Sequence, residues 1–494
     1  GQVRGITGGS GSLTLNTAGN IIFSNDVGIS NALGDIFITG SNPSSLTVNG
    51  GVTAASLKTD TGRTVSGQIS ITGTQTYSGA DGLVLSGNSN ISVAAITTTN
   101  PAAPIQLSHF GNLNLLGNIQ AAGSFDQTST GSGVINIGAT IPSPPVTPVT
   151  TTSIIANNNT LLDFDANLIL NNNLLVQTTF NNANVSFAKD INSASGTKAG
   201  LTVRSTGVLQ FTGNIGNQVQ LGDINTANQT LSGLTATTTG TSINASSFTS
   251  GSVLGDITIT VPQVYNGTTG LILGTTAAGG VSNDITIGQV TTQNGGPVQI
   301  NNSDILNITQ NLNMDGSFSQ LNNSGSAQIK IGATSPISII TSGDDISFQG
   351  QIVLVQNSTL QTGGLGNVSF SETVNSTSSG GASSLRTLTV NNTSGTTNFN
   401  KSVGAGVNGR LGSLSITSTT INLGQSTAIQ VITGSSTGQS YNGAVRVNSA
   451  TTLDSNSAGP VAFSSTVDSG SSTSALAVNN TTSIQFNNRV GATS

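Results

Sequence analysis

Leu201-Thr202-Val203-Arg204-Ser205-Thr206-Gly207-Val208-Leu209-Gln210-Phe211-Thr212-Gly213-Asn214-Ile215-Gly216 is the stretch that decides the fold. It alternates apolar and polar residues, breaks at Ser-Thr-Gly, and resumes with a Phe shortly before an Ile-Gly stop. Alternation of period two marks a half-buried strand, and Gly, Ser and Thr between such runs mark turns. The same order returns at 13–28 (LTLNTAGNIIFSNDVG), 388–404 (LTVNNTSGTTNFNKSVG) and 476–491 (LAVNNTTSIQFNNRVG). A block that repeats with its turn and its stop intact is a structural unit, so internal repetition organises the chain.

Other blocks keep step with it. L-G-[DS]-[IL] stands at Leu33, Leu221 and Leu411, and V-[SA]-F at Val185, Val368 and Val461. Q-x-Y-[SN]-G holds all three tyrosines, Tyr77, Tyr265 and Tyr441. Pro104-Ile105-Gln106 matches Pro297-Val298-Gln299, Gly123-Ser124-Phe125 matches Gly316-Ser317-Phe318, and Ile-Gly-Ala-Thr begins at Ile137 and Ile331. The offset from Leu13 to Leu201 equals that from Leu33 to Leu221 and from Tyr77 to Tyr265, and the offsets from Pro104 to Pro297 and from Val185 to Val368 differ from it only slightly. The reading is a first long unit at 1–188, a second at 189–375, a shortened third at 376–463 and the start of a fourth at 464–494. Far less chain separates Tyr441 from Phe463 than separates Tyr77 from Phe187 or Tyr265 from Phe370. Losing an internal stretch and resuming the pattern is what a stack of similar layers tolerates.

A finer rhythm sets the layer. F-x-x-x-[VI] recurs from Phe187 to Phe211, from Phe348 to Phe370, from Phe370 to Phe399, and from Phe463 to Phe486. The expected fold class is therefore all-β, a parallel β-helix (β-solenoid) of about 21 coils, each roughly 22–29 residues, with Val, Ile, Leu and Phe inside and Asn and Thr stacked between layers. At ~4.8 Å per coil that is a rod on the order of 100 Å. Ile141 to Thr152 breaks the rhythm with four of the eleven prolines, and is read as a loop leaving the coil.

Composition narrows the function. Only 6% of residues are charged, against roughly 25% in a typical soluble domain. Without cysteine there is no disulfide, thiolate nucleophile or Cys-ligated metal, and one histidine cannot make a multi-His site. A net charge of −6 argues against nucleic acid as a partner. The longest apolar run is Val93-Ala94-Ala95-Ile96 and others of its length, so no membrane-spanning helix is expected. There is no initiator Met or secretory signal at the start, and both ends read as cuts in mid-pattern. The expectation is a stretch of a longer polypeptide, or subunits that stack head to tail.

Few residues offer chemistry. Two carboxylates across a groove would suit glycoside hydrolysis, and the acidic pairs are Asp163 with Asp165 and Asp344 with Asp345. Each pair begins a strand after a turn, where Asp is common, so turn and cap roles are expected. His109, replaced in the second unit by a region holding Ser303 and Asp304, is read as a surface or coil-edge residue. Glu372 matches Lys189 between repeats, which marks a solvated position. The tyrosines are read as structural, rings buried and hydroxyls wet, over a row of sugar contacts. Gly363-Gly364-Leu365-Gly366-Asn367 lacks the Asp of a Ca²⁺ nonapeptide, and no Thr-x-Thr array of the ice-binding kind is present. Asn-x-Ser/Thr triplets at Asn90, Asn184, Asn266, Asn307, Asn357 and Asn375 are expected from composition alone. No catalytic, cofactor-binding or metal-ligating residue is assigned, and no cofactor is expected.

The L-T-V-N-x-T blocks, the x-x-F-x-x-x-[VI]-G blocks and Ser-Thr-Gly-Gln-Ser-Tyr-Asn-Gly-Ala-Val at 436–445 resemble giant bacterial exoproteins of the filamentous-haemagglutinin type. Proteins of that kind are secreted by two-partner or autotransporter-like routes. The resemblance implies a right-handed parallel β-helix outside a bacterium, acting in adhesion or surface architecture. Measured against that family, the sequence shows no secretion segment, translocator barrel or receptor-binding head, and no binding residue carries over. The expected function is a non-enzymatic extracellular or cell-surface fibre or stalk. Its partners would be further repeats of its own kind, with host-cell or matrix glycans as candidate ligands. The alternatives are a carbohydrate-active β-helix enzyme and a glycan-binding module that uses the 141–152 loop.

Overall fold

A computed structural model describes residues 3–5, 11–40, 42–139, 150–158, 161–226, 230–276, 283–322, 327–377, 385–405, 409–456, 459–470, 474–480 and 482–491. Among them every regular element is a strand, and no helix is long and apolar enough to cross a membrane. The strands stack in parallel as a β-solenoid of about 19 coils, against about 21 expected, because several coils carry insertions. The chain forms two compact units, residues 1–245 and 246–494.

In the first unit one wall is an 8-stranded sheet that opens with Asn20–Phe23 and Ser45–Val48 and closes with Ile191–Ser193. Its register runs Leu46↔Ile69↔Ile91↔Leu113↔Ile135, a nearly constant step from coil to coil. In the second unit the register Ile257↔Ile285↔Leu306↔Ile329↔Ile352↔Val374 plays the same part. Short strands such as Ile69–Ile71 and Ile285–Ile287 bury their first and third side chains and leave the middle one half-exposed. Those inward residues are the apolar members of each alternating pair. A coil cannot bury them alone, so stacking with its neighbours is what stabilises it.

The Phe rhythm is the coil repeat. Phe187 pairs with Phe211 at 5.4 Å between ring centroids, Phe348 with Phe370 at 5.7 Å, Phe370 with Phe399 at 4.6 Å and Phe463 with Phe486 at 4.8 Å, all stacked. Each pair is also a register pair of adjacent strands. The Gly that ends each block has a backbone cause. Gly216 lies at φ +67°, where an L side chain is strained, and an added Cβ would run into the carbonyl oxygen of Asn244 in the next coil. Gly28 and Gly404 repeat that conformation at +74° and +71°.

Most of the Pro-rich segment expected to leave the coil, 141–149, lies outside the described residues. Its far boundary needs correction, since Thr151 and Thr152 belong to a strand and pair with Asn173 and Leu174. An insertion here fits the register. More chain lies between Ile135 and its partner Leu168 than between the matching Ile329 and Ile352.

Candidate functional site

Asn and Asp side chains at the coil corners form ladders from one coil to the next. Asn90 Oδ1 accepts the backbone N–H of Asn112 at 2.8 Å, and Asn112 Oδ1 accepts that of Val134 at 3.1 Å. Asn167, Asp190 and Asn214 continue the motif, accepting from the N–H of Asp190 at 3.1 Å, Asn214 at 2.8 Å and Ser242 at 3.0 Å in turn. In the second unit Asp256 accepts from Asp284 at 3.0 Å, and Asp284 from Ile305 at 3.1 Å. Each rung joins one coil to the next and satisfies a corner N–H at the edge of the strand ladder. Asn and Asp both serve as rungs, and what the positions share is an acceptor oxygen.

Of the expected acidic pairs only Asp345 joins this pattern. Asp345 is a rung: its Oδ1 accepts from the N–H of Asn367 at 2.7 Å and from Asn367 Nδ2 at 3.2 Å, while Asp344 accepts Thr341 Oγ1 through its main-chain oxygen. Asp165 accepts the N–H of Ser129 at 3.0 and 3.1 Å through its two oxygens. Asp163 sits half-exposed in the strand Leu161–Phe164, in register with Ser186, and one of its oxygens is shielded without a hydrogen bond. Sequons share the pattern, since Asn184 and Asn357 give their oxygens to the N–H of Val208 and Thr387. On the strand faces Asn136 donates to Asn114 and Asn114 to Ser92, and Asn422 to Asn398 and Asn398 to Ser369, the interlayer stacking the composition led us to expect.

Two expectations are overturned. His109 is not at the surface but fully buried, because it takes the third inward position of the strand Ile105–His109 after Ile105 and Leu107. Its Nδ1 meets the Gly111 carbonyl at 2.5 Å and its Nε2 meets Gln127 Nε2 at 2.7 Å. Burial lowers its pKa, and the Gly111 hydrogen bond and the Asp165 charge oppose that. Gln127 Oε1 in turn accepts the N–H of Asp165 at 3.2 Å, so His109 and Asp165 meet through a residue the sequence did not single out. The signal was available: Gly123-Ser124-Phe125-Asp126-Gln127 repeats as Gly316-Ser317-Phe318-Ser319-Gln320.

The tyrosine hydroxyls are not wet either. Tyr77, Tyr265 and Tyr441 are fully buried, and each hydroxyl donates to the Gln two residues before it, at 3.0, 2.9 and 2.8 Å. Residues i and i+2 of a strand share a face, so Q-x-Y is a hydrogen-bonded pair facing inward. Burial pushes all three phenols well above their ordinary pKa, which keeps them donors. Rings in that position offer no surface to a sugar. Lys189 is exposed and Glu372 half-buried.

A polar groove of about 410 Å³ lies in the second unit among Gln289, Gln310, Asn311, Thr334 and Ser335. Its lining carries no charged side chain, and Asn311 spends its Oδ1 on the N–H of Ser338 at 2.8 Å. Among the described residues no group of three His, Asp or Glu side chains gathers as metal ligands would. Fold and corners together define a laddered β-solenoid. No family model, no curated protein and no solved structure matches this chain.

Proposed function

We propose that this protein is a non-enzymatic structural β-solenoid, an extracellular fibre or stalk of the filamentous-haemagglutinin type that serves adhesion or surface architecture on a bacterium. The observation that carries the reading is the use of the polar residues. Aspartates stand as rungs in a ladder that asparagines also build, and the tyrosines are spent inside the core. A glycosidase would need two carboxylates free to reach a substrate; Asp165 and Asp345 are instead occupied with backbone N–H groups. Low charge and a surface of Asn, Ser and Thr suit a passive exposed rod.

Its partner in this reading is more of its own kind. Within the chain, coil already seats on coil through matched inward rings, as in the Tyr441–Phe463–Phe486 column. Electron microscopy of native material tests the proposal. Filaments with a ~4.8 Å axial layer spacing support it, and isolated short rods overturn it. Removing residues 141–149 and measuring attachment to glycans or cells separates the fibre from a glycan-binding module. The fibre reading expects attachment to be unchanged.

A further inference from the structure

His109 and Asn302 hold the same place in the two long repeats, at the offset that separates Pro104 from Pro297, and only His109 can titrate. The two networks share three bonds, and Gln320 adds one from its Nε2 to the Leu321 carbonyl at 2.8 Å and one to its Oε1 from Gly350. Asn302 Nδ2 donates to the Asp304 carbonyl at 2.7 Å, as His109 Nδ1 meets that of Gly111 at 2.5 Å. Gln320 Nε2 donates to Asn302 Oδ1 at 2.7 Å, as Gln127 Nε2 meets His109 Nε2 at 2.7 Å. Gln320 Oε1 accepts the N–H groups of Gln349 and Gly350, both at 2.8 Å, as Gln127 Oε1 accepts that of Asp165. The asparagine therefore assigns the histidine's tautomer: Nδ1 carries the proton and Nε2 is a bare acceptor.

We propose that the His109 station is an acid-released latch: a proton on Nε2 removes the acceptor that holds the Gln127 amide, and the corner where Asp165 closes over Ser129 opens, while the Asn302 corner holds. Gln127 has no good answer to that proton. Turned round, its oxygen accepts from the imidazolium, but its NH₂ then faces the N–H of Asp165, donor against donor. An unpaired buried donor is costly, and Asp165 is the residue that satisfies Ser129.

The charged groups around the imidazole do not remove the effect. On the overlying strand Phe125–Ser129, Asp126 is exposed and pairs with Ser124 Oγ at 3.1 Å. From the neighbouring segment come Asp163, half-exposed, and Asp165, whose charge favours the imidazolium but less than burial disfavours it. Beneath lies Gly87, whose bridge partner Val65 follows the exposed Arg63. With the folded pKa lowered, the unfolded or opened chain binds the proton first. Closure is thus complete above the ordinary imidazole pKa and is lost as pH falls below it.

Hydrogen exchange on the whole chain, from about pH 7.5 to about pH 4.5 and corrected for intrinsic rates, reads the latch through peptides covering 125–131 and 161–168. Their protection should fall about tenfold per pH unit between the ordinary and the folded imidazole pKa. Peptides covering 318–322 and 345–351 should stay level. H109N, which copies the second repeat, should flatten the profile, and N302H should move it to Gln349 and Gly350. Should H109N fail to fold, N302H decides. A flat wild-type profile, an equal loss in both repeats, an H109N that still loses protection, or an N302H that gains no pH dependence overturns the proposal.

Discussion

Two columns climb the same coils of the first unit and obey different rules. Inside, Phe125, Phe164, Phe187 and Phe211 succeed one another with ring centroids 6.3, 5.0 and 5.4 Å apart. At the corner, Asn167, Asp190, Asn214 and Ser242 follow, each side-chain oxygen accepting the backbone N–H of the next. The inner column selects for volume and shape, since each ring fills space between two others. The corner needs an acceptor oxygen for the next coil's N–H, which Asn and Asp both supply. A residue's chemical character is therefore poor evidence of chemistry in this fold: an acid at a corner can serve by its acceptor oxygens alone.

The largest effect should come from breaking the inner column in its middle. Phe187 is fully buried between Phe164 and Phe211. Phe187→Ala should cost about 3–5 kcal/mol, the range for a large side chain removed from a packed core. Because each coil rests only on its neighbours, the loss should stay local. Hydrogen exchange should show weakened protection in the strands Leu161–Phe164, Asn184–Phe187 and Val208–Phe211, with the second unit unchanged. Loss spread evenly over both units would mean that the columns couple far more strongly than nearest-neighbour stacking allows.

Tyr441 lies between the two rules, a stacked ring with a polar end. Its centroid is 5.1 Å from that of Phe463, and its hydroxyl serves Gln439. Tyr441→Phe keeps the ring and strips the donor from a buried oxygen, which should cost about 1–3 kcal/mol. Gln439 cannot easily turn to compensate, because its NH₂ already donates to the carbonyls of Val431 and Asp454. Denaturant unfolding of the variant reads the difference. A neutral result would show that the pair is packing alone.

The inner column was largely legible in the sequence. Phe recurs at coil spacing, and few other residues compete for its place. His109 was legible in principle, since Ile105-Gln106-Leu107-Ser108-His109 alternates and puts the imidazole on the inward side; its polarity outweighed its position in our reading. Gln127 was not legible as a partner. It touches His109 in one neighbouring strand and Asp165 beyond a long insertion, separations in sequence that only the coil path closes. The corner ladder was hidden for another reason. Asn and Asp are interchangeable in it, and Asn also abounds in ordinary turns, so a pair such as Asp344-Asp345 stood out as acids when one of them was a rung.

The corner rule is tested most sharply where it predicts almost nothing. Asp345 uses one carboxylate oxygen for both bonds to Asn367, at 2.7 and 3.2 Å. Asp345→Asn can keep that oxygen in place and should change stability by less than about 0.5 kcal/mol, as surface substitutions usually do. Asp345→Ala removes the acceptor and leaves the N–H of Asn367 to water, a loss of the order of a helix-cap deletion, about 1 kcal/mol. The ranking matters more than the sizes: alanine should be worse than asparagine, and asparagine indistinguishable from wild type. Equal damage from both variants would mean that the negative charge itself is needed. The acidic pair would then regain its claim on a ligand, and the corner would cease to be a purely structural ladder.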